Sequence, residues 1–305
     1  MFIPPIQPSI IVHGGAVATQ AHYDGCELAA RQGLDTLLGG ASALDAALAA
    51  AVVMEDDPRF NAGTGSSLCL DGKTIQMDAA VMSSESQFGA VAAITQVKNP
   101  VLVARRLMST PHLILTGEGA ERYARRCGFG PYDPTTEHAR TRWRNVQRYL
   151  KDNSVGPLSP YLEAFDLPSN WNFQRTLEEV AQACDTIGAV ARDREGRFAV
   201  AASTGGTTLM LLGRVGDVPI MGAGLYAGPA GAVTATGHGE EIIRRMVCKR
   251  VYDMLERGSS PEEACEEVVA EFPERTPIGI IALSKTGEGV ASNRPMPYVI
   301  LPSPV

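Results

Sequence analysis

The sequence has few aromatic residues, no paired cysteine motif and no long hydrophobic run. Of its 305 residues 6% are aromatic, and the six cysteines are dispersed without any C-x-x-C pair. This spacing fits neither a zinc site nor a dense disulfide framework, so we expect reduced thiols. No stretch approaches the roughly 18 apolar residues of a membrane span, and the first residues lack the pattern of a signal peptide. We therefore expect a cytoplasmic protein without a membrane partner.

The charge balance argues against a nucleic-acid partner. The chain carries 27 Lys and Arg against 34 Asp and Glu, for a net charge of -7. Phosphate contacts need clustered cations, and the cations here are scattered among acids. The one basic run, Arg140 to Arg148, is interpreted as a solvated helix face.

Three common functional signatures are incomplete. The "HGGA" of residues 13–16 resembles a hydrolase oxyanion loop, but no G-x-S-x-G nucleophile motif follows. The "GAGLYA" of residues 222–227 matches a dinucleotide fingerprint, yet the Gly and Pro after it cannot open the required helix. The five histidines lack metal-ligand spacing, so structural roles are favoured for them.

Local signals predict strands, helices and strands in both halves of the chain. A strand ends at "HGG", and a helix begins after Ser42, with Asp45 completing a capping box. Hairpins are predicted to turn at Asp71-Gly72 and at Glu195-Gly196. Further strands are predicted at "MDAAVM", "GAVAAI" and "GIIALSKTGEGVASN", and helices at "VLVARRLM", "GEGAERYARRCG", "EEIIRRMVCKRVYDML" and "SPEEACEEVVAEF". This order favours antiparallel sheets covered by helices, with a polar linker at about 131–185.

Four segments in the last 120 or so residues could carry chemistry. Each of "DTIG", "STGG", "GRVGD" and "TATGHGE" has an ordinary explanation as a strand end, a turn or a helix cap. Together they supply hydroxyls, a cation beside a carboxylate and backbone N–H groups for an oxyanion. No base stands beside Thr186 in the sequence, but cleavage after Asp185 would give Thr186 a free α-amine of pKa ~7.7–8.0.

An ordered set of motifs over nearly the whole chain carries a family resemblance. It comprises "VHGGA", "MEDDPRFNAGTGS", "MDAAVM", "GAVAAI", "TPHLILTGEGAERYA", "DTIGAV", "STGG", "GRVGDVPI", "GAGLYA" and "ATGHGE". In these motifs the chain resembles the N-terminal-nucleophile hydrolases of the plant-type asparaginase and isoaspartyl peptidase family. The resemblance implies an α+β fold, a four-layer αββα sandwich. It also implies one domain over 1–305, cleaved into 1–185 and 186–305, and a homodimer of cleaved protomers.

The resemblance assigns the catalytic residues. Thr186 would be the nucleophile, first of its own cleavage from Asp185 and then of substrate hydrolysis. Thr204 would hydrogen-bond the amine and hydroxyl of Thr186, and Asn61 would help to orient that amine. The hydroxyl of Thr236 and the backbone N–H of Gly237 would form the oxyanion hole.

The resemblance also assigns the substrate-binding residues. Arg214 would grip the substrate α-carboxylate with its fork of donors, and Asp217 would take the α-ammonium. Gly239 would complete the substrate-binding site. The second position after "HGG" departs from the family, because relatives often have Gly where Val17 stands here.

A structural sodium ion is also implied, whereas no cofactor is expected for catalysis. Main-chain carbonyls would hold the ion, so the site leaves no side-chain signature. The residues that supply these carbonyls would be Met54, Glu55, Asp57, Phe60, Ala62 and Thr64.

The implied reaction is hydrolysis of a β-aspartyl amide bond in a small-molecule substrate, either an isoaspartyl dipeptide or asparagine. A glycosylasparaginase is the alternative within the family, and a catalytically silent binding protein is the alternative from another class. Small residues in "STGGTTLM" and "GAGLYAGPAG", with Thr207, Thr208 and the single aromatic Tyr226, favour a dipeptide over a stacked sugar on the leaving-group side.

Overall fold

The computed structural model describes residues 6–16, 18–151, 186–208 and 210–302. The predicted cleavage residue Asp185, the departing Val17 and the linker beyond residue 151 lie outside these ranges. Within them the chain forms two β-sheets and a set of helices.

The larger sheet holds the strand that follows Thr186. Its strands are β1 (Ser9–His13), β2 (Met77–Ser83), β3 (Phe88–Ile94), β4 (Ile114–Thr116), β5 (Ile187–Arg192), β6 (Phe198–Thr204) and β11 (Tyr298–Leu301). They lie in the order β11-β1-β5-β6-β2-β3-β4. The β3–β4 pair is parallel, and the other pairs of this sheet are antiparallel.

The smaller sheet carries the "TATGHGE" segment at the end of one strand. Its strands are β7 (Leu225–Gly228), β8 (Gly231–Gly237), β9 (Ile278–Ser284) and β10 (Glu288–Ser292), in the order β10-β9-β8-β7. All of its pairs are antiparallel, and the sequence predicts one of them, the β9–β10 hairpin over "GIIALSKTGEGVASN".

Two of the described helices begin at capping boxes that the sequence predicts. The described α-helices are α1 (Tyr23–Leu38), α2 (Ala43–Asp56), α3 (Pro100–Leu107), α4 (Gly117–Arg126), α5 (Glu137–Lys151), α6 (Gly239–Arg245), α7 (Val247–Glu256) and α8 (Pro261–Ala270). Ser42 and Ser260 both form complete capping boxes, with Asp45 and Glu263. The described helices are all too short or too polar to cross a membrane.

Buried apolar residues form three clusters. One joins α1, α2 and α3 to one face of the larger sheet, and another joins α7 and α8 to the smaller sheet. The third lies between the sheets and includes Val190, Leu225 and Ile281. Alternate residues of one strand enter different clusters: Ala189 belongs to the helix-side cluster and Val190 to the one between the sheets. The central strands are therefore covered on both faces, which explains their continuous apolar sequences.

Three local predictions need correction. Asp71-Gly72 makes its turn, with Gly72 at a positive φ, but its flanks form no strands, because the Asp71 carboxylate and the Met210 carbonyl accept backbone N–H groups there. The helix predicted over "EEIIRRMVCKRVYDML" is broken at Met246, whose φ of 48° is left-handed. The segment predicted as linker contains α5, which includes much of the basic run.

Gly188 in β5 lies where the two sheets pack closely against each other near Thr186. A Cβ on Gly188 would lie 2.4 Å from Nε2 of His13 in β1 and 2.7 Å from Cγ2 of Thr234 in β8. Neither neighbour can yield easily, because both are buried in strands. A glycine at this position therefore allows β5 to pack against β8.

We expect Gly188→Ala to destabilise the fold by about 1–3 kcal/mol, since the added methyl overpacks the space between the sheets. Denaturant unfolding should be compared in a Thr186→Ala background, which keeps every sample in one processing state. Gly119→Ala in α4 is the matched control, because nothing lies within 4 Å of its added Cβ. Equal stability of the two variants would contradict this account of Gly188.

Candidate active site

Strand pairing places Thr186 between two of the sequence motifs. β5 is antiparallel to β6 with Ile187 opposite Ser203, and antiparallel to β1 with Gly188 opposite His13. Continuing these registers places Thr186 beside Thr204 on one side and Gly15 on the other. Thr186 is only 5% exposed. The "HGGA", "DTIG" and "STGG" motifs therefore converge on the end of β5.

Gly15, Thr186 and Thr204 thus form a row across neighbouring strands, and Asp78 extends this row by one strand. It stands opposite Thr204 in the β2–β6 pair and is almost fully buried. Its carboxylate accepts N–H bonds from Ala93 at 2.8 Å and from Gly216 at 2.9 Å. Burial raises the pKa of Asp78, although both of these bonds and the nearby Arg214 oppose that shift. Asp78 thus ties the loop with Arg214 to the strand with Thr204.

The proposed oxyanion residues lie at the end of β8. The buried Thr236 hydroxyl accepts the N–H of Ala16 at 3.3 Å, so the "HGGA" loop reaches across to the smaller sheet. Gly237 has a φ of 137°, and a Cβ there would lie 2.1 Å from the Pro277 carbonyl oxygen. Only glycine fits this turn of the backbone.

Asn61 holds the turn that follows Thr204. Its Nδ2 donates to the Gly206 carbonyl at 2.7 Å, and its own carbonyl accepts the Gly205 N–H at 2.7 Å. Its Oδ1 accepts the N–H of Ser67 at 2.8 Å. Asn61 is therefore placed beside Thr204, while its predicted contact with the Thr186 amine remains a prediction.

Arg214, Asp217 and Gly239 come together as one group. A Cβ built on Gly239 would lie 2.8 Å from Nη2 of Arg214 and 2.8 Å from Oδ1 of Asp217. The guanidinium also borders Gly206, two residues after Thr204. A cation and a carboxylate thus lie side by side, close to the row that contains Thr186.

Burial makes the Asp217 carboxyl harder to ionise than an ordinary aspartate. Desolvation raises the pKa of this carboxyl to about 7, even though Arg214 favours the ionised form. Oδ2 of Asp217 is buried and has no hydrogen-bond partner among the described residues. An ammonium group placed against this oxygen would supply the missing partner and favour the ionised form.

His13 is a buried group that sequence reasoning treated only as structural. Burial lowers the pKa of His13 to about 3, while the Thr186 backbone has the smaller, opposite effect. The ring is therefore neutral at physiological pH. Its position opposite Gly188 is set by strand register, which the amino-acid sequence does not state.

The predicted sodium loop gathers carbonyl oxygens around two glycines with positive φ. A Cβ on Gly63 would lie 2.5 Å from the Glu55 carbonyl oxygen, and one on Gly65 would lie 3.0 Å from that of Phe60. The Glu55 carbonyl also accepts the Thr64 N–H at 2.8 Å, which leaves one lone pair for a cation. Carbonyl oxygens are the ligand type that hard cations take. The loop therefore offers ligands of the type that a sodium ion takes, and the ion itself remains a prediction.

The leaving-group side differs from the sequence-based expectation. Thr207 and Thr208 are buried, and the Thr208 hydroxyl donates to Ser67 at 3.2 Å, so neither forms an open rim. The Tyr226 ring lies against the ring of Tyr252 in α7, with the ring centroids 4.7 Å apart and the planes tilted by 55°. The prediction of an open hydroxyl rim was wrong for these two threonines, because contacts with residues distant in the sequence, such as Ser67, bury them and local spacing does not show such contacts.

Gly239→Ala should weaken binding of aspartate by at least about tenfold, because the methyl would push apart two charged groups that hold one ligand. Isothermal calorimetry with aspartate measures this directly. Gly130→Ala is the control, because nothing lies within 4 Å of its added Cβ and its φ is not positive. Gly258 also has open space, but its φ of 101° would strain an alanine. Unchanged affinity in Gly239→Ala would show that the space between Arg214 and Asp217 holds no ligand.

Comparison with known proteins identifies the family of this chain. The model of a family described as asparaginase matches residues 6–297. The plant-type L-asparaginase of Pyrococcus furiosus is 39% identical over 297 residues, covering 93% of each chain. The isoaspartyl peptidase/L-asparaginase of Danio rerio is 39% identical over 280 residues, covering 88% of this chain and 82% of its own. The corresponding protein of Mus musculus is 36% identical over 305 residues, with coverages of 94% and 87%. Because this family model matches almost the whole chain, the chain belongs to the asparaginase family.

Proposed function

We propose that this chain is an autoprocessing isoaspartyl peptidase/L-asparaginase, a hydrolase of β-aspartyl amide bonds. The names of its relatives support the activity. The observation that carries the mechanism is the convergence of Thr186, Thr204 and the Arg214–Asp217 pair at one end of the larger sheet. The three buried clusters support the finer fold proposal, a four-layer αββα sandwich.

Maturation begins at the bond between Asp185 and Thr186. The Thr186 hydroxyl attacks the Asp185 carbonyl carbon, and the C–N bond breaks as the acyl group moves from nitrogen to oxygen. Water then hydrolyses the ester, which leaves a carboxylate on Asp185 and a free α-amine on Thr186. Near pH 7 a substantial fraction of that amine is neutral, because its reference pKa is ~7.7–8.0, and so it can act as a base.

Substrate hydrolysis uses the same hydroxyl. The α-amine takes the proton of the Thr186 hydroxyl as the oxygen attacks the side-chain carbonyl carbon of the substrate. The hydroxyl of Thr236 and the N–H of Gly237 stabilise the developing oxyanion. The amine or ammonia leaves with a proton, and water hydrolyses the resulting ester to release aspartate. Arg214 and Asp217 hold the α-carboxylate and α-ammonium throughout.

The proposal includes three further features: a bound sodium ion, a homodimer and a cytoplasmic location. A sodium ion bound by the carbonyls of the 54–64 loop would brace Asn61, which lies within that loop. Homodimerisation of cleaved protomers and a cytoplasmic location rest on the family resemblance and on composition. Sedimentation of the purified protein tests the dimer. Thermal unfolding in sodium and in choline salts tests the ion, because an ion bound only to the folded state raises the melting temperature.

We expect β-aspartyl dipeptides to be hydrolysed faster than asparagine, and glycosylasparagine most slowly. Arg214 and Asp217 read only the aspartyl head group that all three share, and the low aromatic content disfavours a sugar platform. Competition among the three at equal concentration, with aspartate and leaving groups quantified, measures the order. Faster release of amino sugar would indicate a glycosylasparaginase. No turnover of any substrate by mature protein would indicate the silent binding protein.

The Michaelis constant for asparagine should rise as the pH falls below about 7, because the α-ammonium needs ionised Asp217. Succinamic acid, which lacks the α-amine, should not show this rise. Titration of the Thr186 amine affects both substrates equally, so dividing kcat/KM for asparagine by kcat/KM for succinamic acid isolates the effect of Asp217. In Asp217→Asn this quotient should be lower than in the unmodified protein and independent of pH. A quotient that does not change with pH in the unmodified protein would contradict this role of Asp217.

A further inference from the structure

The guanidinium of Arg214 is already held by one carboxylate, that of Glu240 in the first turn of α6. Nε of Arg214 donates to Oε1 of Glu240 at 3.0 Å, and Nη2 donates to Oε2 at 3.0 Å. The contact is therefore bidentate, and it uses the Nε–Nη2 edge of the guanidinium. This pair joins the "GRVGD" and "TATGHGE" motifs, and the sequence assigned no role to Glu240.

The pair differs from an ordinary surface ion pair. The side chains of Arg214 and Glu240 are only 18% and 24% exposed. Burial disfavours the charge of Glu240, but Arg214 and the nearby His238 outweigh it, so the pKa of Glu240 lies below its ordinary value. Glu240 therefore remains ionised at neutral pH and restricts the rotation of the guanidinium.

Glycines border the opposite edge of the guanidinium. A Cβ on Gly216 would lie 2.8 Å from Nη1, one on Gly206 would lie 3.7 Å from Nη1, and one on Gly239 would lie 2.8 Å from Nη2. None of these three residues has a side chain to fill the space along this edge. The Nη1–Nη2 edge is thus bordered by residues without side chains, and a larger residue at Gly216 or Gly239 would crowd it.

We propose that Glu240 is a positioning residue for substrate binding: it clamps the Nε–Nη2 edge of Arg214 and thereby presents the Nη1–Nη2 edge to the substrate α-carboxylate. This inference rests on the proposed function. It also explains how one arginine serves two carboxylates, because its five donors allow two bidentate contacts along different edges. The opposite possibility, that Glu240 competes with the substrate for Arg214, predicts tighter binding when Glu240 is neutralised.

The test is Glu240→Gln, which keeps the size of the side chain but removes its charge. We expect the Michaelis constant for asparagine to rise at least about tenfold with a smaller change in kcat, because the guanidinium loses its fixed orientation. β-Alaninamide, which is asparagine without the α-carboxylate, should be hydrolysed equally by both proteins. Glu240→Asp, which keeps the charge on a shorter side chain, should recover part of the loss.

Glu241→Gln is the matched control. Glu241 stands one residue further along α6 and pairs with Arg244 and Arg245, outside the proposed substrate site. This variant should bind and hydrolyse asparagine like the unmodified protein. The rate of self-cleavage should be unchanged in all three variants, since Arg214 reads the substrate and not the scissile peptide.

An unchanged or lowered Michaelis constant in Glu240→Gln would overturn the proposal, as would an equal loss for β-alaninamide. Calorimetry with aspartate, the expected product, separates this failure from failure of the proposed function. If the unmodified protein hydrolyses asparagine and Glu240→Gln binds aspartate equally well, only the role of Glu240 is wrong. If the unmodified protein neither hydrolyses asparagine nor binds aspartate, both proposals are wrong.

Discussion

The backbone pairing of β5 between β1 and β6 positions Thr186, the residue on which the proposed reaction depends. Thr186 has no catalytic partner nearby in the sequence, and it gains Thr204 and Gly15 as neighbours only through these two antiparallel registers. A shift of one residue in β5 would turn the Thr186 side chain to the opposite face of the sheet. The apolar clusters on both faces of β5 prevent that shift, because Ala189 and Val190 would exchange surroundings. The core thus fixes the site.

Around Arg214, burial and hydrogen bonding have opposite effects on the pKa of a carboxyl. Asp217 and Glu240 both lie near Arg214, yet the pKa of Asp217 is raised to about 7 and that of Glu240 is lowered. The difference follows from their contacts: Glu240 has two direct bonds to the guanidinium, whereas Asp217 is fully buried and keeps one oxygen without a described partner. Glu240 is therefore satisfied within the protein. In the proposed function the substrate ammonium would supply the partner that this Asp217 oxygen lacks among the described residues.

Sequence reasoning succeeded where the signal was local. The capping boxes at Ser42 and Ser260 and the hairpin turn at Gly196 depend on residues within a few positions of each other, and the structure confirms them. The motifs that face the site were also found, through the family resemblance. Strand bounds around Asp71 and the helix break at Met246 were missed, because distant contacts and a left-handed residue decide them. The roles of Asp78 and Glu240 depend on pairing across more than 20 residues, which one sequence does not reveal.

The central claim is that Thr186 becomes an N-terminal residue and then acts as the nucleophile. Mass spectrometry of the purified protein during incubation, in parallel with asparagine hydrolysis, tests it most directly. The account predicts loss of the intact mass, appearance of fragments 1–185 and 186–305, and activity that rises in proportion to the fragments. Full activity from protein that retains only its intact mass would contradict the account, because Thr186 would then have no free amine to act as its base.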